Sequence, residues 1–143
     1  KDKIEKYIKE NNLESTIKLL GKISPKDIPK YYLASDIFLF SSLSETQGMV
    51  ILEAMAGKTP AVAIRASGID DVIENKYNGF KTKANIKNWS EKVILLMDDK
   101  NLLNQMKKNS YDYASKYSID KIGKKVQSAY YKSISEQKYL KNK

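Results

Sequence analysis

Two glutamates eight residues apart, Glu45 and Glu53, bracket a stretch whose residue types suit the binding of a phosphorylated sugar. The segment reads Ser41-Ser42-Leu43-Ser44-Glu45-Thr46-Gln47-Gly48-Met49-Val50-Ile51-Leu52-Glu53-Ala54-Met55-Ala56-Gly57. It is polar up to Gly48 and mostly apolar after it, which predicts a loop running into a helix that packs on a core. Glycine at such a junction lets a ligand approach the backbone closely. The first amides of the helix, on Gly48, Met49 and Val50, would then combine with the helix dipole to attract an anion. Each carboxylate offers two acceptor oxygens, a match for vicinal sugar hydroxyls. An acid at each end of a diphosphate can therefore hold a sugar on one side and a ribose on the other. Taken singly, each acid has a plainer account. Glu45 is the kind of acid that favours any helix start, and Glu53 the kind found on any solvated helix face.

Composition removes most other chemistry. The 143 residues contain no Cys and no His. Disulfides, thiol catalysis, Ser-His-Asp triads, and Cys- or His-ligated metals are excluded. The pairs Asp70-Asp71 and Asp98-Asp99 lack a third carboxylate nearby in sequence and read as turns or helix caps rather than metal ligands. A content of 41% hydrophobic and 30% charged residues fits a globular domain with a core. No apolar run approaches the roughly 18–20 residues needed to cross a bilayer. The chain starts at Lys1 without a Met or a signal peptide, and reads as a piece of a longer protein. The formal charge of +9 is concentrated at one end: residues 1–99 carry 15 Lys/Arg against 14 Asp/Glu, and residues 100–143 carry 11 Lys against 3 acids. Only one of the 26 basic residues is arginine, Arg65. Reading of bases by planar forks is accordingly disfavoured, and no nucleic-acid partner is expected, although tyrosines interleave with the C-terminal lysines.

The elements that must position the glutamates can be read from the apolar pattern. Residues 1–12 place Ile4, Tyr7 and Ile8 at helical spacing. Residues 16–20 predict a short strand closed by Gly21. Ser24-Pro25 predicts a helix start, with Pro29 making its first turn irregular and an end near Ser35. Ile37-Phe38-Leu39-Phe40 is apolar without alternation, which predicts a parallel strand buried on both faces. A helix over about 48–55 follows, then the strand Pro60–Ile64, one or two helical turns over 69–75, and a turn at Asn78-Gly79 into a strand near Phe80. Helices are predicted over 86–98, 101–114 and 120–140, with Trp89 and its apolar neighbours in the core. Strands alternating with helices call for an α/β fold: a Rossmann-like parallel sheet with helices on both faces. In such sheets ligands bind beyond the carboxyl ends of the strands, where the loop 41–48 must lie.

With these residues in place, the chain resembles the group 1 (family 4) retaining glycosyltransferases of the GT-B fold. The resemblance is carried by Glu45 through Glu53 with Ala54-Met55-Ala56-Gly57 and Pro60. It extends to Gly21-Lys22-Ile23, Ser35-Asp36-Ile37-Phe38-Leu39, Ala66-Ser67-Gly68, Asp71-Val72-Ile73 and Asn78-Gly79-Phe80, and so covers residues 15–115 in order. It implies that residues 1–143 are a single nucleotide-sugar-binding domain, the C-terminal half of a GT-B enzyme, with 116–143 as a helical extension. The N-terminal acceptor domain of the same protein would be a separate partner. Glu45 would contact the donor hexose near the reacting centre. Gly48, Met49 and Val50 would offer amides to the diphosphate, with Thr46 and Gln47 lining the donor. Glu53 would hold the ribose, and Ile23 would touch the base through its backbone. No metal or other cofactor is implied. Many relatives have Gly-Phe where this chain has Thr46-Gln47, a variant similar to the diacylglycerol glucosyltransferases.

The resemblance implies transfer of a hexose with retention, from a nucleotide sugar such as UDP-glucose. The acceptor would be a membrane lipid such as diacylglycerol, or alternatively a growing cell-surface polysaccharide. A non-catalytic nucleotide-sugar-binding module of the same fold is the rival outside the enzyme class. Lacking the acceptor domain, the chain alone is expected to be inactive. In the last helix Ile119, Ile122, Val126, Ala129, Tyr130, Ser133, Ile134 and Leu140 fall near one face, while Lys121, Lys124, Lys125, Lys132 and Lys138 fall mostly off it. The lysines read either as solvated surface or as a contact with anionic lipid. A cytoplasmic protein, peripheral on the inner face of the cell membrane, is the corresponding expectation.

Overall fold

The computed structural model describes residues 2–141, with side chains described through Gln137. Lys138 and Leu140 therefore lie outside the described side chains. Three parallel strands, β1 (Phe38–Phe40), β2 (Ala61–Ile64) and β3 (Gly79–Thr82), pair in the order β1-β2-β3. Val62 in the middle strand pairs in register with Leu39 and Phe80. Around them lie α1 (Asp2–Glu10), α2 (Ile28–Ala34), α3 (Met49–Ala56), the single turn α4 (Ser67–Asp70), α5 (Ile86–Asp98), α6 (Lys100–Ala114) and α7 (Ile119–Lys141).

Alternation along β2 divides the core between the two faces of the sheet. Ala61 and Ala63 face Ile51 and Met55 of α3, the segment Ile69–Ile73, and Tyr113 and Ala114 at the end of α6. Val62 and Phe80 face Leu96 of α5 and Leu103 and Met106 of α6. Trp89 packs against this second cluster, and its indole N–H donates to the Val62 carbonyl at 3.2 Å. Helices thus cover both faces, as the unalternating strands predict.

Buried polar groups fasten the connections. Asn78 is fully buried. Its side-chain amide donates to the Val72 carbonyl at 3.1 Å, and its side-chain oxygen accepts from the Glu74 amide at 2.9 Å. From α6, Ser110 donates to the Asn78 carbonyl and Asn109 to that of Tyr77, each at 2.9 Å. Thr59, also fully buried, donates to the Tyr32 carbonyl at 2.6 Å and ties the entry of β2 to α2. Of the paired aspartates, Asp99 caps α6 through the Leu102 amide, while Asp70 forms ion pairs with Arg65 and Lys81.

Three expectations need correction. Residues 16–20 form no strand. The amides of Thr16 and Ile17 bond back to Leu13, and Leu19 and Leu20 share a cavity wall with Ile4 instead of pairing with β1. Apolar content alone does not make a strand; a ladder partner does. The strand at 37–40 is not buried on both faces either. It is the edge of the sheet, and Leu39 remains 44% exposed. Finally, the helix expected from Ser24 starts at Ile28, because Ser24–Asp27 forms a turn closed on the Ser24 carbonyl. Pro29 sits in the first helical turn, where its missing N–H costs nothing.

α7 continues from a 3-10 turn at Ser115–Tyr117, and all of its described side chains are exposed, the apolar ones included. No helix among the described residues is long and apolar enough to cross a membrane.

Candidate functional site

The chain leaves β1 at Phe40, forms the loop 41–48 and enters α3 at Met49. α3 is held down by the complete burial of Ile51, Ala54 and Met55. Gly48 is its N-cap and adopts a left-handed conformation, φ +66°. A side chain there would be strained, and its Cβ would lie 2.6 Å from both the Gly68 carbonyl oxygen and Val72 Cγ2. Gly68 answers from the other side, since a Cβ on it would lie 2.5 Å from the Gln47 nitrogen. The Gly68 amide also donates to the Glu45 carbonyl at 3.1 Å. Two glycines thus let the loops after β1 and β2 lock backbone to backbone at the carboxyl end of the sheet.

Within this lock the Glu45 carboxylate turns onto its own loop. One oxygen, Oε1, accepts from the Gln47 amide at 3.0 Å and the Gly48 amide at 2.7 Å. These bonds hold the carboxyl group below its ordinary pKa. Of the three amides expected to be available to an anion, that of Gly48 is therefore already engaged. The amides of Met49 and Val50 have no acceptor among the described residues. They are the open donors at the start of α3, where the helix dipole also favours negative charge.

Glu53 lies one helical turn beyond Met49, about 6 Å along the axis. It is exposed, and beside it burial raises the pKa of the Tyr32 hydroxyl, with the Glu53 carboxylate adding to the shift. Glu53, Tyr32, Ile28, Pro25 and Gly57 line a largely apolar cleft of about 410 Å³. Ile23 lines a different cleft, of about 560 Å³, with Lys22, Ser24 and Tyr31. The two clefts adjoin neighbouring faces of α2.

The structure thus gathers Glu45, Thr46, Gln47, Gly48, Met49 and Val50 on one loop, sets Glu53 a turn away, and leaves Ile23 on another cleft. Three residues beside these went unselected in the sequence reading. Gly68 and Ser67 were visible as part of a pattern, and the glycine after a strand was the available signal. Tyr32 gave none, because only the packing of α2 on α3 brings it to Glu53.

Comparison with known proteins gives a consistent result. Residues 1–113 match the sequence model of the family described as glycosyl transferases group 1. An uncharacterized glycosyltransferase of Methanocaldococcus jannaschii is 31% identical over 129 residues, which are 90% of this chain and 36% of that protein. The chain thus spans about a third of that relative's length. An alpha-monoglucosyldiacylglycerol synthase of Streptococcus pneumoniae is 34% identical over 67 residues, 47% of this chain and 15% of the synthase. Among solved structures, Anabaena HepE in complex with UDP and glucose superposes with a TM-score of 0.79 at 26% identity, over 92% of this chain and 36% of HepE.

Proposed function

Because the chain belongs to the glycosyl transferases group 1 family, we propose that it forms the donor-binding half of a retaining hexosyltransferase. The observation that carries this reading is the pair of open amides on Met49 and Val50, set in a locked loop between Glu45 and Glu53. In this proposal the donor diphosphate lies against those amides. Charge developing on the leaving phosphate is met there by fixed donors that need no reorganisation. Glu45 faces the hexose hydroxyls near the anomeric carbon, Glu53 takes the ribose hydroxyls, and Thr46 and Gln47 line the path between them. Attack on the same face as the departing phosphate would retain the anomeric configuration. Ile23 would reach the base only if the base extends past Tyr32 toward the second cleft.

UDP-glucose is the proposed donor, supported by the HepE complex with UDP and glucose. A membrane lipid such as diacylglycerol is the proposed acceptor, supported by likeness to the Streptococcus pneumoniae synthase and by α7. Lys121, Lys124, Lys125 and Lys132 are all exposed on that helix, and each contributes about 1 kcal/mol of attraction when close to an anionic surface. Liposome binding should rise with anionic lipid content and fall with salt. Equal binding to neutral vesicles would shift the acceptor toward a polysaccharide. The N-terminal half of the protein would supply the acceptor site, so the chain by itself should show no transfer.

The deciding experiment is an amide-shift titration of the chain with UDP, GDP, ADP and UDP-glucose, repeated on Glu53→Ala. Shifts centred on Gly48–Val50 with one base preferred, weakened about tenfold by the substitution, are expected for loss of charge-assisted hydrogen bonds. No shift in that segment at millimolar ligand would count against the donor site.

A further inference from the structure

A second polar cavity, of about 450 Å³, opens at the carboxyl ends of β2 and β3. Arg65 follows β2, Lys81 and Lys83 come from the end of β3, and Lys92 comes from α5, with Asn85 and Asn88 at the start of that helix. The one acid paired with these cations is Asp70. Its Oδ1 contacts Lys81 Nζ at 2.9 Å and Arg65 Nε at 3.2 Å. Lys83 and Lys92 form no ion pair among the described residues, and Arg65 meets Asp70 through Nε. Four cations therefore face one cavity with a single carboxylate among them.

Such a cluster repels itself, and scattered surface lysines would relieve the repulsion by turning outward into water. Here the geometry limits that escape for Lys81 and Lys92, while the Arg65 side chain is 64% exposed and Lys83 is exposed. The Lys81 side chain is only 13% exposed and pinned at both ends. Lys92 Nζ lies 5.6 Å from the centre of the Phe80 ring. The Arg65 backbone amide is bonded to the Thr82 carbonyl at 2.9 Å, and Asp70 fixes its guanidinium from the side. Arg65 is also the only arginine in the chain. A guanidinium oriented through Nε can present its terminal fork to a tetrahedral oxyanion. The Asn85 cap on the Asn88 amide places the first turn of the 13-residue α5 at the same opening.

We propose that this cavity is a binding site for a phosphate or pyrophosphate group, distinct from the donor loop at Met49–Val50. The site stands on its own geometry. Only its use during transfer rests on the donor reading: diacylglycerol carries no phosphate, so the group bound here would be the headgroup of a neighbouring anionic lipid or a separate phosphate ester. The distance in sequence is short: Ser67, two residues after Arg65, donates to the Glu45 carbonyl at 3.4 Å. A phosphate held here would lie at the same edge of the sheet as the donor.

The test is an amide-shift titration of the chain with pyrophosphate and with glycerol 3-phosphate, against sodium chloride at matched ionic strength. Saturable shifts over residues 82–92 and 65–70 are expected. Arg65→Gln and, separately, the exposed Lys83→Gln should each weaken binding about tenfold, and Lys108→Gln, at an exposed position of α6, should leave it unchanged. Equal shifts with chloride, shifts confined to Met49–Val50, or indifference to both substitutions would overturn the site. Silence at Met49–Val50 with UDP while pyrophosphate still shifts the cavity would refute the donor reading and leave this one. Sedimentation with phosphatidylglycerol vesicles separates the sources. Vesicle binding displaced by pyrophosphate and lost in Lys83→Gln marks a lipid headgroup. Saturable pyrophosphate shifts, with vesicle binding either absent or unchanged by pyrophosphate and by Lys83→Gln, mark a soluble phosphate ester.

Discussion

Glu45 is bonded to the loop that carries it, and that makes the loop sensitive to acid. Its carboxylate accepts from the Gln47 and Gly48 amides, which lower its pKa from the ordinary glutamate value. For a depressed acid, the stabilisation is fully present above the unfolded value, about 4.3. It is lost as pH falls through the lower folded value. The Glu45 carboxyl carbon should therefore titrate below the range of free glutamate in an NMR series. Hydrogen exchange at Gln47 and Gly48 should quicken in Glu45→Gln, which keeps the shape but not the charge. An ordinary titration midpoint would refute the arrangement. Much of this site was legible because residue type and chemistry coincide: acids flank a glycine at a polar-to-apolar boundary. The engagement of the Gly48 amide was not legible. Whether a carboxylate turns inward to its own backbone or outward to a ligand depends on loop dihedrals that residue identity leaves open.

At the scale of elements, the turn between α4 and β3 depends on one side chain. Asn78 makes two hydrogen bonds through its buried amide, to Val72 and Glu74, and α6 bonds the carbonyls of Tyr77 and Asn78 from outside. Asn78→Ala would remove both side-chain bonds and leave a part-buried N–H and a buried carbonyl without their partner, a cost of about 2 kcal/mol. A thermal melt should show a drop of several degrees, whereas Asn104→Ala, at an exposed position of α6, should change little. A melt unchanged in Asn78→Ala would mean that the α6 contacts alone hold the turn. The helices were largely legible, because their apolar spacing persists over three or more turns. The short apolar runs were harder. Ile37–Phe40 and Thr16–Leu20 look equally suited to a strand, yet one pairs with β2 and the other bonds back toward α1. Which of two such runs finds a partner is decided by tertiary packing, outside the run itself.

On the scale of the whole molecule, the packed core and the excess positive charge occupy different parts of the chain. Every described core residue lies at or before Ala114, while residues 115–143 carry 8 lysines and 2 acids. Deleting residues 119–143 should therefore leave the melting temperature within about a degree, since exposed residues away from caps and networks contribute within about 0.5 kcal/mol. It should also weaken whatever preference for anionic vesicles the α7 lysines supply. A loss of several degrees would show that α7 packs on the domain after all. The segregation of charge was plain in the sequence; that α7 leaves its apolar residues in solvent was not, because amphipathic spacing specifies a face and says nothing of what covers it. The order of the strands has a further consequence, for the birth of the protein on the ribosome. β1, β2 and β3 are neighbours in the sheet in the order in which they are synthesised. Each new strand meets a partner that has already emerged, and no gap has to be held open for a later insertion. The last pieces needed are Tyr113 and Ala114, so closure of this core does not depend on α7.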